Sequence, residues 1–218
     1  VLLDDTFSDL VAALELGRRV DANLHRALGY TLAIHLPIAA LGLVPLLLSG
    51  QALILLPVHI SLLHLVIDPA CTVVFEALPA TPGLMRQPPR PPEAPLFGPD
   101  TWRHSLSQGA VVMVAALVLV FWPETDAATH RSLVFSLLLL AGGGLGWLNG
   151  DPRSRITAAG AGIGLGHGLL LLAIAGFQQL LNLPPPPPSR VLPVLITTTP
   201  ALPLVWLRTR PLAALRPL

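Results

Sequence analysis

The stretch HLVIDPACTVVFEALP, residues 64–79, sets His64, Asp68 and Glu76 in an apolar run and places Pro69 directly after the acid. A carboxylate at bilayer depth is costly, so such a group marks a functional site by default. Ser61, His64, Asp68, Cys71 and Thr72 recur at helical offsets and share one broad face, a polar stripe expected to turn away from lipid. Pro69 has no N–H, so the carbonyl of Leu65 loses its helical partner and is free to face a ligand. Transporters assemble cation sites from a carboxylate beside freed carbonyls in a broken membrane helix. Asp68 is therefore the expected cation ligand, with His64 and the Leu65 carbonyl as secondary ligands. His64, Asp68 and Cys71 at i, i+4 and i+7 also admit a transition-metal site, with Asp68 and His64 as metal ligands. A membrane cysteine is more often a packing residue, which weighs against that version. Glu76 lies near the expected helix end, within reach of water.

A second proline-marked point precedes the first. AIHLPIAAL carries His35 and Pro37, and Pro37 frees the carbonyl of Ala33 in the same way. With ~1.5 Å of rise per residue, His35 and Asp68 fall at similar depths in two antiparallel helices. The two sites are expected to face each other across a hairpin. Against this stands the ordinary role of a membrane histidine, a hydrogen-bonded packing residue.

The elements that must hold these groups follow from hydropathy. Of 218 residues, 53% are hydrophobic and only 11% charged, far below the quarter charged in soluble domains. The composition describes an all-α, polytopic membrane bundle. Six stretches are long and apolar enough to span: 28–49, 52–78, 106–123, 131–149, 156–181 and 191–207, the last being short and proline-rich. All 13 basic residues are arginines. With six spans and an inside N-terminus, eleven fall in inner segments and only Arg131 and Arg190 in outer loops. That bias places both termini in the cytoplasm. No basic stripe suggests nucleic acid. The lone Cys71 forms no internal disulfide.

Residues 1–27 read as an amphipathic cytoplasmic helix running straight into the first span, with Asp9 early and Arg18 and Arg19 late, as a helix dipole favours. It serves either as a coupling element or as a plain solvated leader. About two dozen charged, helix-like residues before the first apolar run exclude a secretory signal peptide, and a start at Val1 suggests a piece of something longer. The division is then a stalk over 1–27, a hairpin over 28–78, a proline-rich cytoplasmic loop over 79–105, and a four-helix region over 106–218. PPPPP at 184–188 is a polyproline spacer. Gly142, Gly146 and Gly150, like Gly160, Gly164 and Gly168, recur every four residues, so their spans should pack closely on each other or on the hairpin. GAGIGLGHG follows no strand and is no dinucleotide loop; its His167 reads as a packing residue.

VLLDD before a helix, LGRRVDANLHRALGYTLAIHLPIAAL, and LLPVHISLLHLVIDPACTVVFEALPATPGLMRQPPRPP together resemble the P-type cation-transporting ATPases. The resemblance is to the type II, calcium-pump-like branch, and within it to bacterial members whose sixth membrane helix reads IDPAC and FEAEP. It covers residues 1 to about 92 closely; beyond about 100 only the layout of spans agrees. The resemblance implies that residues 1–27 are the stalk behind a phosphorylation domain and that the spans are membrane helices five to ten. It also implies that cation ligands come from helices four, five, six and eight. Asp68 takes the place of the sixth-helix aspartate, Leu65 and Pro69 carry the helix interruption, and His35 with Pro37 falls in the fifth-helix ligand region.

The sequence departs from that pattern at Ile38, where calcium pumps carry an acid, and at Leu78, where the second acid of FEAEP belongs. His64 stands where relatives have Glu or Asn, and Ile67 where calcium pumps have Thr. The eighth-helix segment offers only Asn149, so a calcium cage of 6–8 oxygens is not expected. The chain has no DKTG, TGES-like or GDGxND segment, so it binds no cofactor itself; ATP and Mg2+ belong to cytoplasmic pump domains outside it. The expected function is the C-terminal membrane half of an ATP-driven cation pump in a prokaryotic plasma membrane. Its partners are the transported cation, the bilayer and the remaining pump domains. The competing readings are a non-catalytic scaffold in which Asp68 and His64 pair, and an ATP-independent transporter built on the same hairpin.

Overall fold

A computed structural model describes residues 7–49, 53–91, 93, 95, 98–122, 126–151, 154–162, 166 and 175–185. Among these there is no strand. Helix α1, Phe7–Ser49, is one unbroken rod that joins the expected stalk to the first span. Its 43 residues extend about 65 Å, roughly twice the thickness of a bilayer's hydrocarbon core. Helix α2, Pro57–Glu76, returns antiparallel to it. A single 3-10 turn, Leu84–Arg86, follows in the connecting loop. Helices α3, Pro99–Val120, and α4, Ala127–Asn149, complete the well-defined bundle. Residues 155–162 are helical, and a short helix, α5, covers Ala175–Leu181. Four of the described helices, α1 to α4, are long and apolar enough to cross a membrane. The sixth expected span, His167, Gly164 and Gly168 lie outside the described residues.

Local chemistry sets the helix starts. Pro57 and Pro99 occupy first-turn positions, where a missing N–H costs nothing and the fixed φ suits a helix. Helix α3 therefore begins at Pro99, inside the stretch expected as loop, with Gly98 extended before it and Asp100 favourably placed in its first turn. Helix α4 begins at Ala127 because the Asp126 carboxylate accepts from the backbone N–H groups of Ala128 and Thr129 at 3.1 Å.

The core is shared by all four helices: Ile34 and Leu41 of α1, Leu63 and Phe75 of α2, Leu119 of α3, and Phe135 and Leu138 of α4. In lipid such packing rests on van der Waals fit more than on exclusion of water. Helix α1 lies closest to α3, and small residues permit it. Gly29 meets Ser105, and Gly109 sits directly against the backbone of Ala33 and the side chain of Leu36.

Candidate functional site

The hairpin brings the two expected histidines together. Nε2 of His35 lies 3.0 Å from Nε2 of His64, and the rings meet edge-on with centroids 5.0 Å apart. Each ring also uses its other nitrogen. Nδ1 of His35 donates to the carbonyl of Thr31 at 2.7 Å, and Nδ1 of His64 to that of Ile60 at 2.8 Å. Two turns along α2 from His64, the Cys71 thiol is hydrogen-bonded with the hydroxyl of Thr31, one turn from His35. Thr31 and His35 of α1 thus form a polar seam with His64 and Cys71 of α2.

The expected single stripe divides here. His64 and Cys71 turn toward α1, whereas Ser61, Leu65, Asp68 and Thr72 lie on the exposed side of α2. Asp68 makes no ion pair among the described residues; the Thr72 hydroxyl donates to its backbone carbonyl at 3.1 Å. Roughly 12 Å of helix separate it from the end of α2 at Glu76, which is itself exposed. Among the described residues no three of His, Cys, Asp or Glu are gathered to hold a metal ion, so His64, Asp68 and Cys71 do not assemble the three-residue metal site.

Neither proline unwinds its helix. Helix α2 continues through Pro69 and α1 through Pro37, so the interruption expected at Leu65 and Pro69 is a missing hydrogen bond and not a break. Pro37 is buried, and the Ala33 carbonyl it releases faces the close approach of Gly109, not the His35 site. Ile38 and Leu78, the two positions without the family's acids, belong to the buried apolar core. Asn149 is also engaged: its amide donates to the Gln108 side chain and to the Leu145 carbonyl, both at 2.9 Å, while the Gln108 amide donates to His104 at 2.9 Å. The glycine row of α4 packs on the hairpin, as the spacing allowed. Gly142 faces Ile67 and Tyr30, Gly146 faces Tyr30, and a small pocket between them is lined by Cys71, Gly143 and Gly160.

Two clasps escaped sequence reading. At the stalk end, the loop after α2 folds back along α1. Asn23, buried, donates to the Leu78 carbonyl at 3.0 Å, and Arg18 to the carbonyls of Leu84 and Gln87 at 3.1 and 2.8 Å. Arg26 reaches the Thr81 hydroxyl at 3.1 Å, and Arg90 pairs with Asp21 at 3.0 Å. At the opposite end, fully buried His59 accepts from the N–H of Leu56 at 3.0 Å and donates to the Leu181 carbonyl at 2.7 Å. Beside it Arg131 donates to the carbonyls of Ile54 and Asn182 at 2.9 and 3.2 Å. His59 on a bland apolar face gave no pattern to follow. Arg131, set with Arg190 on the outer side away from the other arginines, was the one available signal.

A bundle of apolar helices joined to a long amphipathic rod defines a polytopic helical membrane domain. Residues 52–210 match the family described as cation transporting ATPase, C-terminus. The chain belongs to that family and is a C-terminal transmembrane domain of the P-type cation-transporting ATPases. It is 27% identical over 143 residues to calcium-transporting ATPase 2 of Schizosaccharomyces pombe, which covers 62% of this chain and 11% of that protein. It is 30% identical over 140 residues to a probable cation-transporting ATPase F of Mycobacterium bovis, covering 64% of this chain and 15% of the relative. A P-type sodium-transporting ATPase4 of Toxoplasma gondii is 30% identical over 131 residues, 55% of this chain and 9% of the relative. The aligned stretch is thus a small C-terminal-type portion of far longer proteins.

Proposed function

We propose that this chain forms part of the ion path and the coupling stalk of an ATP-driven cation pump. The observation that carries this reading is Asp68: a carboxylate about midway along a membrane helix, exposed and without an ion-pair partner among the described residues. A charge so placed is expensive in lipid and is supported when it meets a permeating cation or a neighbouring helix of the pump. The resemblance supplies such a neighbour, a fourth membrane helix that lies outside this chain. Asp68 is the carboxylate ligand in this reading. His64 and His35, whose nitrogens are already engaged, stand beside the path and do not face the cation.

The scaffold reading needs Asp68 and His64 to pair. His64 instead uses both ring nitrogens on Ile60 and His35, which favours the pump. Helix α1 acts as the stalk. Its exposed Phe7, Leu10, Val11 and Leu14 offer an apolar surface that the cytoplasmic domains, which bind ATP and Mg2+, would cover. On the arginine asymmetry both termini face the cytoplasm, and the family resemblance is what suggests a prokaryotic plasma membrane.

The test is Asp68→Asn in the full-length pump, reading cation-stimulated ATPase activity against cation concentration. The expected result is a loss of at least tenfold in apparent cation affinity. Unchanged activation discards the ligand role.

A further inference from the structure

The hydrogens of the His35–His64 contact can be counted. Each Nδ1 lies against a carbonyl oxygen, and a carbonyl only accepts, so both Nδ1 atoms carry hydrogen. In a neutral imidazole the other nitrogen is then a bare lone pair. Two lone pairs facing each other across 3.0 Å repel; one hydrogen between them makes the same distance an ordinary N–H···N bond. We propose that His35 and His64 form a one-proton site in the membrane, in which one Nε2 carries the proton, the other accepts it, and the singly charged pair pins α1 to α2.

A tetrahedral zinc ion fits this contact less well. Bonds of about 2.0–2.1 Å to nitrogens 3.0 Å apart close the N–metal–N angle to roughly 95°, well under tetrahedral. No third His, Cys, Asp or Glu joins the pair among the described residues. The surroundings suit a single positive charge. On α1 the adjacent titratable group is Tyr30; on α2 they are Cys71 and Asp68, the latter one turn beyond His64 and not ion-paired with it. Helix α3 from Ser105 to Val120 and α4 from Ser132 to Asn149 carry no titratable side chain. The helical stretch 155–162, which reaches the pocket beside Cys71, brings only the exposed Arg155.

Loss of the proton has a mechanical consequence. With both Nε2 atoms bare, the rings must part, or one must move its remaining hydrogen to Nε2 and release Thr31 or Ile60. The carbonyls tolerate release, since each also has its helical N–H partner. Proton uptake from water therefore makes a link between stalk helix and ion-site helix, and proton release unmakes it. The site requires no transport activity to exist, so its test is independent of the Asp68 reading.

The test is nitrogen NMR of the full-length protein in lipid nanodiscs with labelled histidine, from about pH 5 to about pH 9, the range that brackets histidine titration. The expected spectrum has two rings, each with Nδ1–H, sharing one Nε2 hydrogen with measurable coupling between the nitrogens. Both should change in one common step as pH rises. In His35→Gln, an amide N–H replaces the shared proton, and His64 should keep Nδ1–H while losing that step; His64→Gln should do the same to His35. Two rings titrating separately, or a neutral ring holding hydrogen on Nε2 throughout, overturns the proposal. So does a Zn2+-induced shift of both Nε2 signals that displaces the shared hydrogen.

Discussion

The carbonyl oxygen of Ala33 lies 2.6 Å from where a Cβ on Gly109 would stand. The obstructing atom is backbone, not the end of a flexible side chain, so α1 and α3 must separate to admit even a methyl group. Gly109→Ala should cost about 1–3 kcal/mol, the usual toll of overpacking. Gly42→Ala on the same long helix meets nothing within 4 Å and should stabilise by about 0.4–1 kcal/mol through the unfolded chain. Thermal midpoints of the purified protein in detergent should move in opposite directions.

Asn23 is the buried member of the stalk clasp, and its amide holds the Leu78 carbonyl. Asn23→Ala leaves that carbonyl without its side-chain donor and should cost about 1–3 kcal/mol. Arg90→Ala removes an exposed pair with Asp21 and should cost under about 1 kcal/mol. Limited proteolysis between residues 79 and 91 should accelerate strongly in the first variant and little in the second.

His59 bridges Leu56 and Leu181 while packing edge-on against Phe135, ring centroids 6.2 Å apart. His59→Phe keeps a flat aromatic ring but leaves the Leu56 N–H and the buried Leu181 carbonyl without their partner, for about 1–3 kcal/mol. Hydrogen exchange should rise at Leu56 and around residues 178–183 while the centres of α1 and α3 stay protected. Equal exchange at both ends would remove His59 from the clasp.

Asp126 caps α4 from a fully exposed position. The Thr129 hydroxyl, then the backbone N–H of Thr129 and of Ala128, hold its carboxyl below the ordinary aspartate range. An acid depressed in the folded state adds stability above its unfolded value, about 3.9, and loses it as pH falls through the folded value. The stability difference between the native chain and Asp126→Ala should therefore be full at neutral pH and shrink below about pH 4. Asp126→Asn, which still accepts from the helix N–H groups, should lie between them without that acid dependence.

Much of the architecture could be read from hydropathy, because long apolar runs in a bilayer have few alternatives to helices. The continuity of α1 from stalk to span followed from a helical pattern with no interruption. Helix starts were less legible: Pro99 looked like one more loop proline, although Gly98-Pro99-Asp100 is a helix-opening sequence. The polar stripe illustrates a finer limit. At about 100° per residue, His64 and Cys71 lie about 20° apart, while Ser61, Asp68 and Thr72 share an arc of about 40° beside them. The spacing already contained two faces; only the position of α1 reveals that one of them is occupied. Gly29 and Gly109 could not be found from periodicity, since each is a single residue whose reason lies on another helix. His59 and Arg131 act through carbonyls as far as 122 residues away.

The unbroken rod of α1 has a consequence for how force travels. From its tight crossing at Ala33, about 39 Å of helix extend back to Phe7. That arm converts a 5° tilt at the crossing into a swing of about 3–4 Å at its far tip, and the reverse conversion gains leverage by the same ratio. Because Arg18, Asn23 and Arg26 fasten the end of α2 and its loop to this arm, a push on the tip is delivered to both helices of the hairpin at once.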